Sequence, residues 1–165
     1  IITDMLTGLY NRRHFNQLIP KEIQRATREQ LPITFISLDL DHFKKVNDDL
    51  GHLKGDEALM EVGQVISHLC RRTGDFAFRM GGEELLIVVT GSNNSIEDFA
   101  ETLRSRIGQI KIENKENGMS HTLSTSIGVF SHIPKIGDES MFYLEKADKA
   151  LYKAKQSGRN KVIFY

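Results

Sequence analysis

Two pairs of acidic residues mark where this sequence could do phosphate or metal chemistry. Asp39 and Asp41 close an apolar, β-branched run, Ile33-Thr34-Phe35-Ile36-Ser37-Leu38-Asp39-Leu40, and Glu83 and Glu84 follow the doublet Gly81-Gly82. Flanking Leu40, Asp39 and Asp41 are expected to point to opposite faces and so not to share one ion. Taken singly, each pair has an ordinary explanation: aspartates end strands and start turns, and glutamates at a hairpin tip are solvated at little cost. If strand and hairpin are neighbours, Asp39 and Glu83 offer the hard oxygen ligands that Mg2+ takes together with water and substrate phosphate oxygens. Such an ion neutralises charge developing on a phosphoryl group.

Cations follow the acids. Lys44 and Lys45 come just after the acidic strand end, and Lys153, Lys155, Arg159 and Lys161 surround Ser157-Gly158. A lysine-rich helix end complements the helix dipole; the same groups could clamp a polyphosphate, Lys as a point charge and Arg as a two-pronged donor. Asn47 and Asp56 carry the groups that can read a guanine edge, the acid accepting from N1 and N2 hydrogens and the amide meeting O6 or N7. As a helix-surface Asn and a helix N-cap Asp they would be unremarkable. His52 is a turn residue or a base contact.

These residues need elements to hold them. Arg12 to Arg28 has helical spacing of Phe15, Leu18, Ile19, Ile23 and Ala26, with Pro20 as an early interruption. Ile33 to Leu40 reads as a buried central strand. Phe43 to Leu50 is a short helix closed by Gly51, and a second helix is expected from Gly55-Asp56, with Ala58, Leu59, Val62, Val65, Ile66 and Leu69 inward. Asp75 to Met80 and Leu85 to Val89 read as two strands joined across Gly81-Gly82, where both glycines accept positive φ. A helix (Ser95 to Ile110), a strand (Thr122 to Phe130), a helix (Met141 to Lys155) and a last strand (Val162 to Tyr165) complete an α/β (α+β) fold with a mixed sheet.

The 165 residues, 39% apolar and 27% charged, fit one globular domain rather than a disordered or repeat chain. With 22 Lys+Arg against 22 Asp+Glu, no general affinity for nucleic acid is expected. The lone Cys70 can form neither an internal disulfide nor a zinc cluster, which points to a reducing, cytoplasmic setting. No apolar run reaches the ~20 residues that span a bilayer, so no membrane contact by this domain is expected. The start at Ile1 suggests a piece of a longer protein with a sensor or dimerisation region before it.

Five motifs together resemble the GGDEF domain, the catalytic domain of diguanylate cyclases, over essentially the full chain. They are Asp4-Met5-Leu6-Thr7-Gly8-Leu9-Tyr10-Asn11-Arg12-Arg13; Asp39 to Asp48 with Gly51-His52 and Gly55-Asp56; Gly81-Gly82-Glu83-Glu84-Leu85; Ser126-Ile127-Gly128-Val129; and Ala147-Asp148 through Leu151-Tyr152-Lys153-Ala154-Lys155 to Gly158-Arg159-Asn160. The resemblance implies a nucleotidyl-cyclase-like fold with a central five-stranded sheet, and condensation of two GTP to cyclic di-GMP with release of two pyrophosphates. It implies Mg2+, or Mn2+ in its place, on Asp39, Glu83 and the Leu40 carbonyl. Guanine would be read by Asn47 and Asp56 with His52 nearby. Phosphates would be held by Lys44, Lys155, Arg159 and the backbone at His42 and Phe43, and Glu84 would help activate the 3′-hydroxyl. Arg72-Thr73-Gly74-Asp75 matches the family's RxxD inhibitory site, Arg72 and Asp75 binding the product, with Arg104 or Arg106 as candidates for its second arginine. Each domain would hold half an active site, so catalysis would require a homodimer. Glu83 stands for the Asp of the name motif and Leu85 for its Phe; neither change is expected to abolish activity. The alternative is a catalytically silent receptor for GTP or cyclic di-GMP.

Overall fold

The computed structural model describes residues 1–91 and 95–165. Its elements are β1 (Tyr10–Asn11), α1 (Arg12–Glu29), β2 (Ile33–Leu40), α2 (Phe43–Leu50), α3 (His52–Leu69), β3 (Asp75–Gly81), β4 (Glu84–Thr90), α4 (Ile96–Ile107), β5 (Lys111–Asn114), β6 (Met119–Thr122), β7 (Thr125–His132), α5 (Ser140–Gln156) and β8 (Val162–Phe164).

The apolar run of β2 is buried at every position, and it sits inside a six-stranded sheet ordered β1-β3-β4-β2-β7-β8. β2 pairs antiparallel with β4 and β7, β3 with β4 likewise, while β1/β3 and β7/β8 are parallel. The sheet thus has one strand more than the expected five, the addition being the two-residue edge strand β1. Alternation along β2 divides the core between the two faces. Ile36, Leu38 and Leu40 pack with Val46, Leu59, Val62 and Leu103 of α2, α3 and α4, while Ile33 and Phe35 pack with Phe15, Ile19 and Tyr143 of α1 and α5.

Several boundaries differ from expectation for local reasons. Pro20 does not interrupt α1: it lies on the exposed face, and Phe15, Ile19, Ile23 and Ala26 hold the other face in the core. α3 begins at His52 instead of Gly55-Asp56, because Gly51 (φ 90°) ends α2 and starts α3 with no intervening loop, so Asp56 is a helix-interior residue and not an N-cap. In the β3–β4 turn only Gly82 (φ 51°) needs the left-handed region. α4 stops at Ile107, and the expected strand from Thr122 starts at Thr125. Between them a separate two-stranded hairpin, β5–β6, occupies a stretch read as connection. α5 lies so close to β7 that a Cβ on Gly128 would stand 2.2 Å from the Ala147 carbonyl oxygen and the Leu151 nitrogen. No helix among the described residues is long and apolar enough to cross a membrane.

Candidate active site

The site forms where β2 ends beside the β3–β4 hairpin. The register pairs Asp39 of β2 with Glu84 of β4, so these two side chains lie on one face of neighbouring strands. Glu83 belongs to the two-residue turn before β4. The hairpin carboxylate directly across from Asp39 is Glu84, with Glu83 one residue before it in the turn; which glutamate takes that place depends on a register that sequence spacing does not reveal. Arg79 fixes the tip, its Nε donating to the Gly82 carbonyl (2.9 Å) and its Nη1 to Asp4 (3.2 Å).

Asp39 is buried. One of its oxygens, Oδ2, pairs with the Lys155 ammonium, while Oδ1 is buried without a hydrogen-bond partner. Around them a cavity of about 250 Å³ is lined by Arg12, Ser37, Asp39, Glu84, Asp148 and Lys155, among others. Burial raises the Glu84 carboxyl above its ordinary value, and the negative charges of Asp39, Asp148 and Glu83 push the same way. Burial likewise raises Asp148, against a hydrogen bond from Ser37 Oγ (2.8 Å). The site thus has an excess of acid that Lys155 offsets in part. Among the described residues no group of three His, Cys, Asp or Glu side chains is arranged to hold a metal. Two facing carboxylates and an unpartnered buried oxygen nevertheless fit Mg2+, which commonly takes one or two protein carboxylates and completes its shell with water and phosphate.

Asp39 and Asp41 do serve different ends, although strand alternation is not the cause, since residues two apart in a strand share a face. The strand ends at Leu40, and Asp41 turns into a structural network. It accepts from Ser124 Oγ (2.7 Å), Ser126 Oγ (2.6 Å) and the Asn160 amide (3.0 Å). Arg159 and Asn160, both at positive φ, form the turn held this way, so Asp41 positions the loop that carries Arg159. This role, like that of Asp148, went unassigned in the sequence; the only local signal was the place of Asp41 and Asp148 within the quoted motifs.

His42, also at positive φ (54°), starts α2 without a side-chain cap. The first amides of α2 at Phe43 and Lys44 are left for another acceptor, and Lys44 is exposed beside them. One turn on, Asn47 lies against α3: a Cβ on Gly55 would come 1.8 Å from Asn47 Oδ1. The glycine brings the Asn47 carboxamide beside the segment carrying exposed Asp56, and exposed His52 stands at the start of the same helix. Leu85 is buried in the core with Leu38 and Val62, where a larger Phe was expected from the resemblance. At the far end of β3, Arg72 and Asp75 close on each other, the Arg72 amide donating to Asp75 Oδ2 (3.0 Å) and the Asp75 amide to the Arg72 carbonyl (3.0 Å). Arg104 is held by Glu101 and by Asn160 Oδ1 (2.8 Å), whereas Arg106 is exposed.

The family model described as diguanylate cyclase, GGDEF domain, matches residues 1–161. The chain is 39% identical over 160 residues to diguanylate cyclase DosC of Escherichia coli (strain K12), covering 96% of this chain and 34% of that protein, so it spans about a third of that relative. In structure it is similar to the GGDEF domain of DgcB from Caulobacter crescentus, solved in complex with c-di-GMP (TM-score 0.90, 30% identity, 99% of this chain and 95% of that one). It is also similar to the active GGEEF domain of a diguanylate cyclase from Vibrio cholerae (TM-score 0.82, 32% identity, 94% and 96%).

Proposed function

Because this chain belongs to the GGDEF domain family of diguanylate cyclases, we propose that it condenses two molecules of GTP to cyclic di-GMP and two pyrophosphates. The observation that carries the reading is the Asp39–Glu84 carboxylate pair, with its unpartnered buried oxygen and adjacent Lys155, beside the Gly81-Gly82 turn. Asp39, Glu83 and the Leu40 carbonyl are the groups that would hold Mg2+ or Mn2+, with Glu84 facing Asp39 across the strands. When bound, the ion supplies neutralisation of charge on the triphosphate and on the attacking oxygen.

The protein's own part is positioning and charge. Asn47 and Asp56, with His52 nearby, hold the guanine edge. The amides at His42 and Phe43, together with Lys44, Lys155 and Arg159, hold the phosphates. Glu84, whose carboxyl is raised above its ordinary value by burial and by the neighbouring acids, would help activate the 3′-hydroxyl by accepting its proton. One chain supplies one nucleotide site. The 3′-oxygen of one GTP meets the α-phosphate of the other only when two chains face each other about a two-fold axis. Arg72 and Asp75 form an inhibitory site for the product, the guanidinium stacking on guanine or pairing with phosphate.

Incubating the chain with GTP and Mg2+ and separating the nucleotides tests this directly. Cyclic di-GMP is expected from the wild type and none from Asp39→Ala, with added product inhibiting the wild type but not Arg72→Ala. No product even when the chains are forced to dimerise would leave the silent-receptor reading in its place.

A further inference from the structure

The β5–β6 hairpin reaches α2, the helix that carries Asn47, through a set of polar side-chain bonds. Asn114 Nδ2 donates to the Leu50 carbonyl (3.0 Å), and Asn117 Nδ2 donates to the Asp49 carbonyl (2.9 Å). His121 Nε2 meets Asp49 Oδ2 at 2.7 Å, and Lys45 Nζ approaches the same oxygen at 3.3 Å. Helix C-termini leave their last carbonyls without intrahelical partners, and here the side chains of a separate hairpin satisfy two of them. Each asparagine works at both ends. Asn114 Oδ1 accepts from the Glu116 amide (2.9 Å), and Asn117 Oδ1 from the Met119 amide (2.9 Å), so one end shapes the turn and the other grips α2.

α2 needs such a grip. It has eight residues, too few to be stable alone, and it carries Lys44 and Asn47. Its last turn sits directly before Gly51, the hinge into α3, and Asn47 is wedged against Gly55. Any drift of the α2 C-terminus changes the distance between the Asn47 amide and the Asp56 carboxylate. We propose that Asn114, Asn117 and His121 are positioning residues for purine recognition, holding α2 so that Asn47 and Asp56 meet one guanine edge together. The inference rests on the proposed reading of Asn47 and Asp56 as guanine ligands. A site built to hydrogen-bond a particular group rejects an analogue lacking it only while its own groups stay in place.

The double-ended asparagines provide a clean test. Asn114→Asp with Asn117→Asp keeps both Oδ acceptors, and with them the turn, but removes both donors to α2. GTP and inosine triphosphate, which lacks the 2-amino group that Asp56 would accept from, are compared in binding and turnover. The double variant is expected to raise KM for GTP about tenfold with kcat changed less than about threefold, and to lose most of the preference for GTP over inosine triphosphate. Asn117→Ser, which restores a short donor and acceptor, is expected to fall between the two, and His121→Gln, which keeps a donor to Asp49, to stay near the wild type. Thermal unfolding run alongside reports whether the fold persists. A folded double variant that discriminates as well as the wild type overturns the positioning role alone. A wild type that binds GTP no better than inosine triphosphate, and no better than ATP, which lacks O6 and the N1 hydrogen as well, overturns the guanine-reading site, and the positioning role with it.

Discussion

Asp39 is asked to hold two cations in turn. In this structure its Oδ2 carries the Lys155 ammonium, and in the proposed reaction the same carboxylate takes a divalent ion while Lys155 turns to phosphate. Removing the lysine therefore removes a competitor. Lys155→Met is expected to bind Mn2+ without nucleotide about fivefold more tightly, the equivalent of a partly exposed ion pair of ~1 kcal/mol, and GTP more weakly. Calorimetric titration reads both; Mn2+ affinity that is unchanged or weaker would mean the two cations do not share Asp39. Asp4 provides a pH test away from the site. Burial alone would raise its carboxyl, but the Thr7 amide and hydroxyl and the Arg79 guanidinium outweigh it and hold it below the usual range. A lowered native value stabilises the fold above the unfolded value of about 3.9, and that contribution disappears as pH falls through the native one. Asp4→Asn should cost about 1 kcal/mol at pH 7 and progressively less as denaturant unfolding is repeated below pH 4; a cost independent of pH would deny the charge its role. Asp39 stood out because an acid at the end of an apolar run is locally conspicuous, and the structure brings Lys155 to it; Asn47 and Asp56 were singled out by side-chain type and by the resemblance. Which glutamate faces Asp39 was not legible, since strand register decides it, and neither was the role of Asp41, whose partners lie 83 to 119 residues along the chain.

Long elements with a strong period were readable, and short polar ones were not. β2, α1, α3 and α5 declare themselves through continuous or helical apolar spacing. The strands of the β5–β6 hairpin are four residues each, largely exposed, with Ile112 alone buried, so no alternation marked them. The early start of α3 had the same cause: a glycine at φ 90° replaces a loop, and no local composition signals that. Gly55 lets stability and binding be separated at this junction. A Cβ there would displace the Asn47 carboxamide, whose flexible end can move aside. Replacing a helical glycine by alanine favours the helix by roughly 0.5–1 kcal/mol. Gly55→Ala is therefore expected to keep or raise the melting temperature while weakening GTP binding about tenfold. Unaltered GTP affinity would show that Asn47 does not read the base.

At the scale of the whole molecule, 22 cationic against 22 acidic residues conceal a local arrangement. Acids collect at Asp39, Glu84 and Asp148 with Glu83 in the adjoining turn, and Lys155 and Arg12 share their cavity; with Lys44 and Arg159 in the proposed phosphate clamp, the arrangement suits one small polyanion bound with a metal ion. The sheet presents these groups once per chain, whereas the proposed reaction joins two nucleotides. Activity should therefore depend on encounter between chains, with the rate per chain rising with chain concentration until dimers saturate. The most direct measurement is the initial rate of cyclic di-GMP formation from GTP and Mg2+ across a dilution series of the chain. Product is expected, its rate per chain increasing in proportion to concentration at the dilute end, with none from Asp39→Ala at any concentration. A wild type that forms no cyclic di-GMP across the series, or a variant lacking Asp39 that forms it as fast, would contradict the proposed reaction.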